Sequence, residues 1–332
     1  MILIAGATGY IGRYLCVHMV AQGKHILALG RSKKAMEFFQ KYSVPCQEFD
    51  ITDESSYKRL PQEGVEAVIN LAAVLAEIAS PVEAMFAVNT LGTYKLLEYC
   101  RTSRVPRFIL ASSHKVYNDI HHFPLKETDY PCFSGDHSPY IISKIAAENF
   151  VQYYSKDFGI QGIILRLTGV HGYGEILGHL DQDGSYRKST FEIFVEKAMK
   201  GEPLEVWGDC KAVRDHIYIK DAVSAFIAAL DSPEAKGIYN IATGVGLSLL
   251  EEAEKIVEVF SPPEKKSPVI RRPDKPAFTR SYVFDISRAR ADLHWEPKYS
   301  YVEMLKDYRC ELEARIFQHY HYIKPEHRPA TM

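Results

Sequence analysis

Six cysteines in 332 residues, Cys16, Cys46, Cys100, Cys132, Cys210 and Cys310, form no CxxC pair. That scatter supplies neither a disulfide framework nor a zinc site, and it fits a reducing, cytoplasmic location. Net charge is nearly absent: 40 Lys and Arg against 42 Asp and Glu leave −2. There is no electrostatic case for nucleic acid or an anionic membrane as a partner. Long apolar runs are missing too. Val65–Ile78 is broken by Glu66, Asn70 and Glu77, too short and polar to span a bilayer. No basic region precedes Met1–Ala5, which reads as a strand and not as a signal peptide. Repeats and low-complexity tracts are lacking. What remains is an ordinary globular composition, long enough for one large or two modest domains.

Met1–Ala5 is short, apolar and followed by Gly6-Ala-Thr-Gly9-Tyr-Ile-Gly12, then by an amphipathic stretch to Gln22. This is the order strand, glycine turn, helix. Gly6 permits the turn, Gly9 lets the backbone approach a pyrophosphate, and Gly12 lets helix pack on strand. The helix start then offers free N–H groups to phosphate. Further strands are expected at His25–Leu29, Pro45–Phe49, Ala67–Leu71, Arg107–Ala111 and Gln161–Leu167, with a long helix over Pro81–Arg101 carrying Asn89. Such alternation predicts an α/β fold with a doubly wound parallel sheet. The second strand ends at Gly30-Arg31, where an NAD site usually places an acidic residue. Arg31 can pair with a 2′-phosphate, so NADP is slightly favoured over NAD. Asp50 and Ile51 follow the third strand at the ligand-binding rim, suited to an adenine. Ala72 and Ala73 continue the fourth strand past Leu71 and offer small residues where a cofactor can approach the backbone.

Ser138-Pro-Tyr-Ile-Ile-Ser-Lys144 carries a cap and a first-turn proline, so Tyr140 and Lys144 fall one turn apart on one helix face. A Lys ammonium beside a phenol favours the phenolate and makes Tyr140 usable as a general acid/base. After the sixth strand the alternation loosens. Tyr173–Ser189 is a polar, glycine-rich segment, and a smaller mixed domain is expected to close over the rim. The boundaries read as 1–169, with 212–242 returning to the sheet, and 170–211 with 243–332 as the substrate domain. His121-His122 has no further ligand at metal spacing and no metal is expected. His319 and His321 read as tail packing.

Taken in order, these motifs resemble the extended short-chain dehydrogenase/reductase family, in its nucleotide-sugar epimerase/dehydratase branch, over about residues 1–300. The motifs are the glycine loop; Asp50; Asn70-Leu-Ala-Ala73; Ser112-Ser113 with Val116-Tyr117; Tyr140 and Lys144; Arg166 with Gly172; Arg214-Asp215; and Tyr239–Gly244. The resemblance implies a Rossmann domain binding NAD or NADP through Gly6, Thr8, Gly9, Tyr10, Ile11, Gly12, Arg31, Asp50, Ile51, Leu71, Ala72, Ala73, Asn89, Ser112, Tyr140 and Lys144. It implies Ser113, Tyr140 and Lys144 as catalytic residues, with His114, Arg214 and Arg272 toward a nucleotide-sugar substrate. It also implies a homodimer, paired through the helices near Pro81–Arg101 and Tyr140–Phe158.

Departures bear on the reaction. The dehydratases carry an Asp-Glu pair where this chain has His114-Lys115, which demotes dehydration. Gly169 replaces the family's Asn, and His171 its Tyr. His114 is expected to titrate near neutrality, either donating to the substrate or hydrogen-bonding beside the site. The leading expectation is a C4 epimerase. The alternative is an NADPH-dependent ketoreductase; a dehydratase or a non-catalytic dinucleotide sensor is less favoured.

Overall fold

The computed structural model describes residues 1–75, 81–118, 120–131, 137–174, 179–180, 186–276 and 280–317. Six strands open the chain: β1 (Ile2–Ala5), β2 (Ile26–Gly30), β3 (Cys46–Glu48), β4 (Ala67–Asn70), β5 (Arg107–Ser113) and β6 (Gln161–Leu167). A seventh, Gly237–Ile241, joins them from far along the sequence. The order is Gly237–Ile241, β6, β5, β4, β1, β2, β3, parallel throughout. Chain direction across the sheet reverses between β1 and β4, the switch point where such sheets bind ligands.

The strands are apolar because both faces are covered. Ile2 and Ile4 enter one layer with Ile69, Leu15, Met19 and Phe226. Leu3 and Ala5 enter the other with Val68, Leu96, Leu97 and Val151. This alternation pins the register, since a one-residue slip would exchange the layers. A smaller cluster of Val116, Tyr117, Leu125, Ala242, Phe284 and Ile286 joins the sheet rim to the later chain. Buried Asp215 ties that junction. It accepts from Thr243 N–H and hydroxyl at 2.9 and 2.6 Å, Gly244 N–H at 2.9 Å and Phe284 N–H at 3.4 Å. Beyond β6, Gly169–His171 pairs with His216–Tyr218, and Leu204–Trp207 with Val269–Arg272.

The long helix expected over Pro81–Arg101 is interrupted. Val82–Met85 and Gly92–Thr102 are α-helical, but Phe86–Leu91 is a π turn. The reason is a tertiary clamp. Asn89 donates to Val74 C=O at 3.1 Å and Ser143 Oγ at 3.0 Å, and accepts from Val74 N–H at 2.8 Å. Thr90 donates to Ser143 C=O at 3.0 Å. The extra residue in the turn carries both side chains toward the helix Pro139–Phe158. Within Tyr173–Ser189, His179–Leu180 and Tyr186–Arg187 form a short antiparallel pair; 175–178 and 181–185 lie outside the described residues, as do His319 and His321. Among the described residues, no helix is long and apolar enough to cross a membrane.

Candidate active site

The cradle at the switch point follows from backbone geometry. Gly6 has φ +77°, and a Cβ there would lie 2.5 Å from Ala72 N. Only glycine relieves both constraints. Gly9 opens the helix Tyr10–Ala21 without any side-chain cap, so its first N–H groups face the rim. Gly6, Thr8, Gly9, Arg31, Ile51, Leu71, Ala72 and Ala73 line one cavity there. Gly30, Phe49 and Val88 line it too, which the sequence reading missed. Gly12 instead packs against Ala7, whose carbonyl a Cβ would approach to 2.5 Å. Tyr10 stands edge-on to Tyr14 at 5.8 Å, and Ile11 packs on the core. Glycine backbone, uncapped helix start and an alanine wall together fit a dinucleotide phosphate.

Arg31, two-thirds exposed, lies 3.7 Å from Asp50 Oδ2. Asp50 Oδ1 accepts from Thr52 N–H at 2.9 Å and its hydroxyl at 2.7 Å. Partial burial works to raise the Asp50 pKa, but the Thr52 hydrogen bonds and the Arg31 guanidinium hold it below the usual carboxylate range.

Ser138 accepts from Ile141 N–H at 3.4 Å, and Pro139 opens the helix Pro139–Phe158. Tyr140 and Lys144 therefore share its inward face, both buried. Lys144 Nζ donates to Ala111 C=O at 2.9 Å. Burial pushes its pKa down to about 8, against an upward pull from Glu148. Ser113 ends β5, and its Oγ accepts from Lys115 N–H at 3.2 Å. The Lys115 and Lys144 ammonium groups lie 5.6 and 6.0 Å from the Tyr140 ring centre. Lys144 thus touches β5 two residues before Ser113, and Lys115 approaches the phenol ring from two residues after it. Two cations beside one phenol favour its ionised form.

Three residues assigned to the cofactor or substrate from sequence have other partners. Ser112 donates to Glu148, which accepts three hydrogen bonds from Arg166: Nε to Oε1 at 3.0 Å and to Oε2 at 3.3 Å, and Nη2 to Oε2 at 2.6 Å. The amide of Asn89 holds Val74 and Ser143. Arg272 pairs with Glu205 and Asp274, each at 3.1 Å.

His114 corrects an expectation. Burial first, then the Lys115 charge, pushes its pKa down to about 3, so the ring stays neutral and does not titrate near neutrality. Its Nδ1 lies 3.2 Å from Leu167 C=O, and its ring packs on Tyr282 at 5.1 Å. Gly169 is a packing requirement: a Cβ would lie 2.7 Å from His216 Nδ1. We expect Gly169→Ala to cost about 1–3 kcal/mol through overpacking, with a smaller loss when His216→Ala is also present, checked by urea denaturation. Arg214, 3.5 Å from Glu252, helps line a cavity of about 360 Å³ with Phe194, Trp207, Asp209 and Leu249. Among the described residues, no three His, Cys, Asp or Glu side chains are grouped to hold a metal ion.

The family model described as "NAD dependent epimerase/dehydratase family" matches residues 2–242. The chain belongs to this family. As a member of the epimerase/dehydratase family, it is 28% identical over 313 residues to a putative UDP-glucose 4-epimerase of Methanocaldococcus jannaschii, covering 92% of this chain and 96% of the relative. The fold of this family member matches that of Thermotoga maritima UDP-glucose 4-epimerase with UDP-glucose, with TM-score 0.76, 24% identity, and 95% and 99% of the two chains covered. It also matches Bacillus cereus UDP-glucuronic acid 4-epimerase in complex with NAD, with TM-score 0.73, 24% identity, and 94% and 99% coverage.

Proposed function

We propose that this chain is an NAD(P)-dependent nucleotide-sugar C4 epimerase. The observation that supports this reading is Lys144, whose ammonium donates to Ala111 C=O two residues before Ser113 on β5 and lies 6.0 Å from the Tyr140 ring centre. Residues 1–169 and 212–242 form the dinucleotide domain in this reading, and 170–211 with 243–332 form the substrate domain. Tyr140, as phenolate, takes the proton from the sugar C4 hydroxyl and later returns it. Ser113 hydrogen-bonds the reacting oxygen as negative charge gathers there. Lys144 holds the Tyr140 phenolate and the cofactor ribose. The nicotinamide cofactor, when bound, exchanges hydride with C4. Arg214 and its cavity take the nucleotide diphosphate, since a guanidinium fork pairs bidentately with phosphate. A thermal-shift screen of UDP- and dTDP-sugars tests this: a substrate nucleotide sugar raises Tm, because it binds only the native state. No rise with any of them contradicts the reading.

A second reading is an NADPH-dependent ketoreductase. It is favoured by Arg31 standing where an NAD site would carry an acid, and by Gly169 and His171 at altered substrate positions. For the cofactor, Arg31→Asp is expected to weaken NADP about tenfold while changing NAD little, measured by titration of both. An unchanged preference removes Arg31 from that role.

The homodimer is supported by exposed apolar residues on the two helices concerned, among them Leu91, Tyr94, Ile142, Tyr153 and Phe158. A soluble chain rarely leaves such a set uncovered. The cytoplasmic location is supported by Cys16, Cys46, Cys100, Cys210 and Cys310, all free thiols.

A further inference from the structure

Ser113 and Tyr140 are the pair proposed to handle the reacting oxygen, and Lys115 reaches both. Its backbone N–H donates to Ser113 Oγ at 3.2 Å and caps the short 3₁₀ turn His114–Tyr117. That bond occupies one lone pair of the hydroxyl and leaves its proton to donate elsewhere. The Lys115 side chain turns to Tyr140. Its ammonium lies 5.6 Å from the ring centre, against 6.0 Å for Lys144. The two lysines come from different elements and differ in setting. Lys144, on the helix of Tyr140 itself, is 4% exposed and donates to Ala111 C=O at 2.9 Å. Lys115 follows β5 and is half-buried. Tyr140 forms one apolar cluster with Met85, Ile141, Val74 and Ile145, so a charge beside the ring acts on it with little screening. The other titratable groups nearby are engaged or neutral. Glu148, one turn beyond Lys144, pairs with Arg166, and burial keeps His114 uncharged.

Resting on the reading of Tyr140 as the proton-transfer base, we propose that Lys115 is a second positioning cation, whose side chain holds the Tyr140 phenolate alongside Lys144 while its backbone keeps the Ser113 hydroxyl ready to donate. The proton still passes between the sugar hydroxyl and Tyr140 alone. Lys115 sets the energy of the phenolate and transfers nothing. A carboxylate in its place would do the reverse and keep the phenol protonated. A unit charge about 6 Å away displaces the midpoint of the phenol by about one pH unit, at an effective dielectric constant between those of a protein surface and water.

Ultraviolet titration of the full chain in the tyrosinate band tests this, each protein being compared with its own Tyr140→Phe partner so that the difference isolates one phenol. Lys115→Met, which keeps the aliphatic stem, is expected to move that step up by about one pH unit. Lys115→Glu is expected to move it further, by about two, because it replaces an attraction with a repulsion. Lys115→Arg keeps the charge and is expected to hold the step within about 0.3 of the parent. With a nucleotide sugar that the protein turns over, Lys115→Met is expected to lower kcat/KM about tenfold on the acid side of the profile and to recover at high pH. A step unmoved in Lys115→Met would overturn the proposal. So would equal displacement in Lys115→Met and Lys115→Arg, which would mark the side chain's shape as the cause and not its charge. The titration needs no substrate, so it judges Lys115 even where every nucleotide sugar fails, a failure that would instead remove the epimerase reading.

Discussion

Tyr140→Phe is expected to lower kcat about 10³-fold while leaving dinucleotide affinity within a small factor. The phenol oxygen is the one atom removed, and the ring stays buried against Met85 and Ile141. The cradle proposed to bind the dinucleotide includes backbone at Gly6 and Gly9, and its lining does not include Tyr140. Steady-state kinetics with parallel cofactor titration checks both halves. A variant that keeps most of its turnover would remove Tyr140 from proton transfer. The acid limb of the wild-type pH–rate profile should belong to Tyr140, which must lose its proton to act as the base. His114 should add nothing to that profile above pH 5, because burial keeps it neutral there. His114→Gln should therefore preserve the limb.

The second large effect lies beneath the site. Glu148→Ala is expected to destabilise the fold by about 3–5 kcal/mol, because it leaves Arg166 buried without its carboxylate. Arg166 is 3% exposed, and its guanidinium lies 4.6 Å from the Tyr117 ring centre with no room for bulk water. The same change frees the Ser112 hydroxyl and removes the upward pull on the Lys144 pKa. Urea denaturation at pH 7 should show the loss as a lower midpoint at nearly constant slope. Glu148→Ala combined with Arg166→Met should recover part of it, since an apolar replacement of the whole pair carries no buried charge. A double variant no more stable than the single one would show that the pair is not the source.

What could be read from the sequence was local. The glycine loop, the alternation of β1 with its helix, and the Tyr140–Lys144 spacing each depend on residues within a few positions of one another. Parallel strands buried on both faces leave continuous apolar runs, so β4 and β5 were readable as well. The features that escaped depend on partners far along the chain. The π turn at Asn89 comes from Val74 and Ser143, and no local pattern in Phe86–Leu91 marks it. Ser112 and Ser113 are adjacent, and strand alternation sends them to opposite sides; only the buried Glu148, 36 residues on, shows which faces the core. His114 reads as a near-neutral histidine until Leu167 and Tyr282 enclose it. Gly169 reads as a missing substrate contact until His216 is found beside it.

The central claim is a closed oxidation and reduction at one sugar carbon, and one measurement addresses it most directly. The purified protein is incubated with the UDP-sugar that stabilises it in D₂O, without added dinucleotide, and followed by proton NMR with absorbance at 340 nm. The account predicts interconversion of the two C4 epimers, no deuterium at any sugar carbon, and no net change in reduced cofactor. Turnover that requires added NADPH and consumes it one-for-one with product, or deuterium entering the sugar ring, would contradict it.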